Sequence, residues 1–161
     1  MKRIPFICLL GLLLLLTACA PQQPETNEPQ LALYYLSTQE HGPALVSQPY
    51  YGKADPWAMI LALLEGPNSD ALRSPYPSEL TLRGCKLKDG RLTVNFSEHY
   101  GELAAVDLTL ADYCLVLTLC QLEEVDTVEI TVMGRPIPHR SHQLLTQEEA
   151  VLILNHTLPS S

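Results

Sequence analysis

The dipeptide Asp89-Gly90 constrains the fold more than any other two residues in this chain. Both residue types tolerate positive φ, the backbone state that a tight two-residue hairpin turn requires. The pair sits between ELTLRGCKL and RLTVNFS, so residues 79–87 and 91–97 are expected to pair as antiparallel strands. In the second run Leu92, Val94 and Phe96 point one way and Arg91, Thr93 and Asn95 the other, which implies one covered and one wet sheet face. Gly84 interrupts the alternation of the first run and marks a bulge or a close backbone approach. A covered face needs a cover, and flanking helices are the natural candidates.

Two segments have helical periodicity. In DPWAMILALLEGP, Asp55 is a ready N-cap, Pro56 suits the first helical position, Gly66 stands just past the end, and Pro67 forbids continuation. Trp57, Ile60, Leu61 and Leu64 fall at i, i+3, i+4 and i+7, which predicts one apolar stripe docked on the sheet. In DLTLADYCLVLTLCQL, Asp107 is the expected N-cap, and Leu108, Ala111, Leu115, Leu119 and Leu122 share a face flanked by Leu110, Cys114 and Leu117. A face that wide implies deep packing. LALYYL at 31–36 is apolar on both faces, as an internal strand is, ALVSQ at 44–48 is a second short candidate, and TVEITVMG at 127–134 alternates cleanly. The order β-α-β-β-α-β defines an α+β domain, a split mixed sheet with two helices on one face, because right-handed crossovers place both helices on the same side. Thr146-Gln147-Glu148-Glu149 then fits a capping box, opening a short helix that pads the domain's edge or offers a partner a binding strip.

The N-terminal segment obeys different physics. Lys2 and Arg3 precede an apolar run from Ile4 to Leu16 that spans roughly 20 Å as helix, short of the roughly 30 Å of a bilayer core. Its length and flanks are those of a signal peptide. It ends in Leu16-Thr17-Ala18-Cys19, which resembles a bacterial lipobox, so Cys19 is the expected lipidation site and residues 1–18 the removed signal. Residues 20–30, APQQPETNEPQ, have no large apolar side chain and read as a semi-extended tether, spanning up to about 34 Å. The divisions are then a signal peptide at 1–18, a lipidated cysteine and tether at 19–30, a folded domain at 31–140 and a tail at 141–161. With Lys2 and Arg3 gone, 8 basic residues face 18 acidic ones, a formal −10. That balance argues against nucleic acid and against electrostatic adhesion to anionic lipid, leaving the acyl group to hold the membrane.

Candidate chemistry is sparse. Ser97-Glu98-His99 has a nucleophile and a base as sequence neighbours, without the G-x-S-x-G elbow that would present them. His139 and His142 lack a third ligand at fixed spacing, and Glu123, Glu124 and Asp126 form an acidic turn without an EF-hand pattern. No glycine-rich phosphate loop is present. We therefore expect no catalytic residue, cofactor or metal. Cys85, Cys114 and Cys120 remain after Cys8 and Cys19 are accounted for. Cys114 and Cys120, roughly 9 Å apart along one helix, exceed the bridging limit of about 7 Å, which leaves buried unpaired thiols or a disulfide from Cys85 to either partner. Tyrosines gather in the first half of the chain, and Tyr50-Tyr51-Gly52 lies where a loop is expected, so Tyr50 and Tyr51 are candidate interface anchors.

ILALLEGP at 60–67, DGRLTVNFS at 89–97 and TLADYCLVLTLCQLEEVDTVEITVMG at 109–134 together resemble the GerMN domain of sporulation and spore-germination lipoproteins. The resemblance covers residues 31–138 and centres on Leu64-Glu65-Gly66-Pro67 and Val94-Asn95-Phe96-Ser97. It departs at Asn95, where the family more often has an acidic residue, and at Met133, which replaces a commoner polar one. It implies a fold similar to ring-building-motif domains and a non-enzymatic scaffold or assembly factor, tethered to the outer face of the cytoplasmic membrane and working with envelope or sporulation proteins. The alternative is a module that binds peptidoglycan through its tyrosines. Glu65, Gly66 and Pro67, with Tyr50 and Tyr51, are the candidate partner-binding residues.

Overall fold

The computed structural model describes residues 31–39, 44–103, 105–138, 140 and 142–151. In chain order they form β1 (Leu31–Ser37), β2 (Leu45–Tyr50), α1 (Pro56–Glu65), β3 (Leu72–Arg73), β4 (Leu82–Lys88), β5 (Arg91–Phe96), a 3₁₀ turn (Glu98–Tyr100), α2 (Ala105–Leu119), β6 (Thr127–Val132), β7 (Arg135–Pro136) and β8 (Leu144–Leu145). Residues 147–151 are helical.

The hairpin forms at the turn residues that predict it. Asp89 (φ 49°) and Gly90 (φ 77°) both take positive φ, and β4 pairs antiparallel with β5 from Lys88↔Arg91 back to Leu82↔Phe96, with a register shift between Leu82 and Gly84 at the expected bulge. Leu92, Val94 and Phe96 are buried. β6 lies parallel to β5 with Val94 opposite Ile130, so the sheet is mixed. The other edge of β6 is covered in two short pieces, by β7 near Thr131 and Val132 and by β8 near Val128 and Glu129. Asn95 gains a structural role here: its Oδ1 accepts the Gly134 N–H (2.7 Å) and the Thr131 hydroxyl (3.2 Å), pinning the Met133-Gly134 turn that joins β6 to β7.

The expected mixed sheet is divided. β1 does not join the β4–β5–β6 sheet; it pairs antiparallel with β2 along its whole length and with β3 only at Leu36 and Ser37. The rest of its second edge is occupied by side chains of the α2 terminus. The Tyr34 N–H donates to Thr118 Oγ1 (3.0 Å), the Ala32 N–H donates to Gln121 Oε1 (2.9 Å), and Gln121 Nε2 donates back to the Ala32 carbonyl (2.8 Å). These groups stand where a neighbouring strand's amides would stand, and they leave β1 without a free edge.

α2 is the shared element, contacting α1, β1 and β6. It starts at Ala105, two residues before the expected cap, and Asp107 lies in its first turn, where a carboxylate still favours the positive end of the helix dipole. Leu110, Ala111, Cys114, Leu115, Val116, Leu117 and Leu119 are all buried, so the helix is apolar nearly all round, as its composition implies. Two charges share that interior. Asp112 pairs with Arg140, both side chains almost wholly buried, and accepts the Tyr100 hydroxyl (2.7 Å). Tyr100 in turn stacks on Phe96 at 4.9 Å between ring centroids.

The stripe predicted for α1 requires correction. Asp55 caps the helix through the Ala58 N–H (3.0 Å), but the packed residues are Met59, Ile60 and Leu63. Trp57 and Leu61 are 44% and 42% exposed. The helix is apolar at nearly every position, so two overlapping stripes satisfied helical spacing, and tertiary contacts selected the other one. Beyond 140, Leu145 and Ala150 enter the core and the expected capping box forms: the Thr146 N–H donates to Glu149 Oε2 (3.0 Å) and the Glu149 N–H to Thr146 Oγ1 (3.4 Å).

Candidate functional site

β2 and the end of α1 meet around a hollow of about 270 Å³. β2 delivers Gln48, Pro49 and Tyr50, with Tyr51 just beyond its end; α1 delivers Ala62 and Glu65, and the chain then reverses through Gly66, Pro67 and Asn68. Leu33 of β1 lines it from below. Gly66 has φ +94°, a state disfavoured for side-chain-bearing residues, so the reversal that ends α1 needs glycine. Pro67 then bars any further helical turn.

Polar contacts hold the walls in place. The Asn68 N–H donates to Gln48 Oε1 (2.8 Å), which ties the post-helix turn to β2. The Tyr50 hydroxyl donates to the Lys53 carbonyl (3.2 Å), and the buried Tyr35 hydroxyl donates to the Ala62 carbonyl (3.2 Å). A side chain at Gly52 would collide with the Tyr50 ring. Burial, and secondarily the charges of Asp55 and Glu65, raise the Tyr50 pKa, so its phenol stays a neutral donor. Tyr51 is 64% exposed at the rim. The five residues singled out from the sequence, Tyr50, Tyr51, Glu65, Gly66 and Pro67, thus all line one hollow. Sequence reasoning missed Leu33, Gln48, Pro49, Ala62 and Asn68, and the bond from the Asn68 N–H to the Gln48 side chain has no local sequence signature.

This hollow offers aromatic and apolar surface, backbone groups and one carboxylate. Among its lining residues no nucleophile stands beside a base. The other sequence candidates lie elsewhere. Ser97 Oγ is 3.4 Å from His99 Nδ1, but Ser97 is buried and its oxygen also accepts the Thr81 N–H (3.2 Å), a contact that holds β4 against the end of β5. His142 is exposed and faces Glu149 at 3.5 Å. Among the described residues no cluster of three or more His, Cys, Asp and Glu is arranged to hold a metal. Cys85, Cys114 and Cys120 are free, and burial raises the pKa of each, that of Cys120 to about 11, which makes them poor nucleophiles. Cys19 and His139 lie outside the described residues. No helix among those residues is long and apolar enough to cross a membrane.

The two sheets and the helices between them define an α+β domain with mixed sheets. Residues 32–138 match the Germane model, described as sporulation and spore germination, and the chain belongs to that family. Solved structures of similar fold include the following three. The tandem GerMN domains of the sporulation protein GerM from Bacillus subtilis share 25% identity at a TM-score of 0.57, covering 73% of this chain; this chain spans 44% of the length of that one. The first GerMN domain of the same protein gives a TM-score of 0.59 at 19% identity, covering 73% of this chain and 97% of the domain. A candidate lipoprotein from Clostridium perfringens gives 0.51 at 20% identity, covering 74% and 87%. No curated protein matches in sequence.

Proposed function

We propose that this chain is a lipid-anchored, non-catalytic docking module: acylated at Cys19, held on the outer face of the cytoplasmic membrane, and acting as a scaffold or assembly factor for an envelope complex in sporulation or germination. The observation that carries this reading is the hollow between β2 and α1, whose groups suit recognition and whose rim presents Tyr51 to solvent. Family membership and the lipobox-like Leu16-Thr17-Ala18-Cys19 support the setting. A tether of residues 20–30 keeps the body within about 34 Å of the anchor.

The test uses full-length protein in sporulating cells. Cys19→Ala releases it from the membrane, and affinity capture of the wild type recovers envelope proteins that Tyr51→Ala loses. Retention of the Cys19→Ala protein in membranes refutes the anchor, and normal spores after deletion refute the developmental role. The exposed Tyr51 ring also favours a second reading, stacking on the sugars of peptidoglycan. Co-sedimentation with purified cell wall, lost on Tyr51→Ala, would decide for it.

A further inference from the structure

We propose that the exposed face of α1 pairs with the same face of a second copy of this chain. Trp57, Leu61 and Glu65 succeed one another at four-residue spacing and so share one side of the helix. That side is turned away from the core: Met59, Ile60 and Leu63 are packed, while Trp57 and Leu61 remain 44% and 42% exposed and Glu65 is exposed. Two large apolar side chains one helical turn apart form a small exposed apolar stripe beside the packed face of α1.

The charges around the patch say which occupant fits. Lys53, with its side chain 80% exposed, stands just before the N-terminal end of α1, and Glu65 stands at the C-terminal end. A twofold axis between antiparallel α1 helices sets Trp57 of each copy against Leu61 of the other and brings each Glu65 to the partner copy's Lys53 and helix N-terminus. Across that axis apolar side chains meet apolar ones and each Glu65 meets a cation, with Asp55, bound to that cation, a like charge beside it. Lys53 already contacts Asp55 at 2.7 Å, so Glu65 would complete a three-charge cluster rather than displace a partner. Two side chains per copy bury far less than the roughly 800 Å² per partner of a stable complex. The pairing is weak in free solution and forms when copies are concentrated on a surface, so its expected setting rests on the acyl anchor proposed above.

Trp57 is the only tryptophan in the chain, which makes it a reporter of its own burial. The experiment follows tryptophan emission of the purified full-length lipidated protein in phosphatidylcholine vesicles as protein density rises. The expected result is emission at longer wavelength at low density, shifting to shorter wavelength as copies crowd. Glu65→Lys raises the density needed for half the shift by between about twofold and about thirtyfold, since two symmetric pairs are lost at once. Adding Lys53→Glu to Glu65→Lys restores it. Unchanged emission at all densities overturns the proposal. So does short-wavelength emission at every density, which would mean that lipid covers the face, or a density-dependent shift indifferent to both charge changes. Acylation is read separately from the mass of the purified protein. If Cys19 is unmodified the anchor reading fails, and the same emission titration at high concentration in solution still decides the pairing.

Discussion

Gln121→Leu should detach the start of β1 from α2. The wild-type amide holds both the N–H and the carbonyl of Ala32, at 2.9 and 2.8 Å, and its Nε2 also donates to the carbonyls of Leu117 (2.8 Å) and Thr118 (3.1 Å). Leucine keeps nearly the same volume, so no cavity opens, but Ala32 loses two partners in a partly buried setting. At about 1 kcal/mol for each bond, and somewhat more where the stranded group is out of water, the loss amounts to about 2–3 kcal/mol. With a urea dependence of roughly 1–1.5 kcal/mol per molar for a domain of this size, the unfolding midpoint should fall by about 2 M.

Amide hydrogen exchange locates the effect. Ala32 should exchange about thirtyfold faster or more, whereas the Leu92 and Val94 amides in the other sheet follow only the global change. Thr118→Val, which removes the acceptor for Tyr34, should speed exchange at Tyr34 in the same way. A Gln121→Leu protein whose stability moves by less than about 0.5 kcal/mol, with Ala32 exchange unaltered, would show that β1 is held by β2 and burial alone. The edge-capping argument would then be wrong. Under the anchoring proposed above the consequence reaches function, because β1 is the first described element of the chain and would receive any pull from the membrane.

Three further outcomes follow from the packing. Burial, opposed by Arg140 and Tyr100, raises the Asp112 pKa from 3.8 to about 6, so the folded protein takes up this proton more readily than the unfolded chain. That contribution is fully present below the ordinary value and is lost as pH rises through about 6, a swing of about 3 kcal/mol; urea titrations of Asp112→Asn should show it absent across that window, and an unchanged pH slope would refute the assignment. Leu63→Ala should destabilise by about 2–5 kcal/mol and Leu61→Ala by under about 1 kcal/mol in thermal unfolding of dilute protein; the reverse order would restore the stripe read from the sequence. Gly90→Ala should cost about 1–2 kcal/mol, because φ is +77° there and the new methyl meets the Asp126 carboxylate; a neutral result would show that the turn relaxes.

What the sequence made legible was whatever is fixed locally. Asp89-Gly90 dictates its own turn, Thr146 and Glu149 cap each other across one helical turn, and Gly84 disturbs the register within its own strand, so each was readable without knowing the rest of the chain. The misread features depend on distant partners. Which stripe of α1 is buried depends on its packing against α2 and the neighbouring strands, and an all-apolar helix carries no internal vote on the matter. Thr118 and Gln121 look like ordinary polar interruptions of a helix, yet they take the place of a neighbouring strand along β1, 84 to 89 residues away, and β1 stays outside the larger sheet.

The hollow belongs between these cases. Tyr50-Tyr51 and Glu65-Gly66-Pro67 were separately conspicuous as a loop of aromatics and a helix stop, while their convergence depends on α1 ending beside β2. The Gln48–Asn68 bond makes that return specific, because it spans the loop and helix between them and fastens the chain just after the glycine reversal to the strand just before the tyrosines. A chain that closes such a circuit with one side-chain bond can vary the rim residues without disturbing the core, since Tyr51 and Glu65 are exposed and no hydrogen bond that fixes the walls is made by either side chain. If the hollow is the docking surface proposed above, recognition specificity and fold stability are carried by different residues of it, and a scaffold built this way could change partners while keeping its architecture.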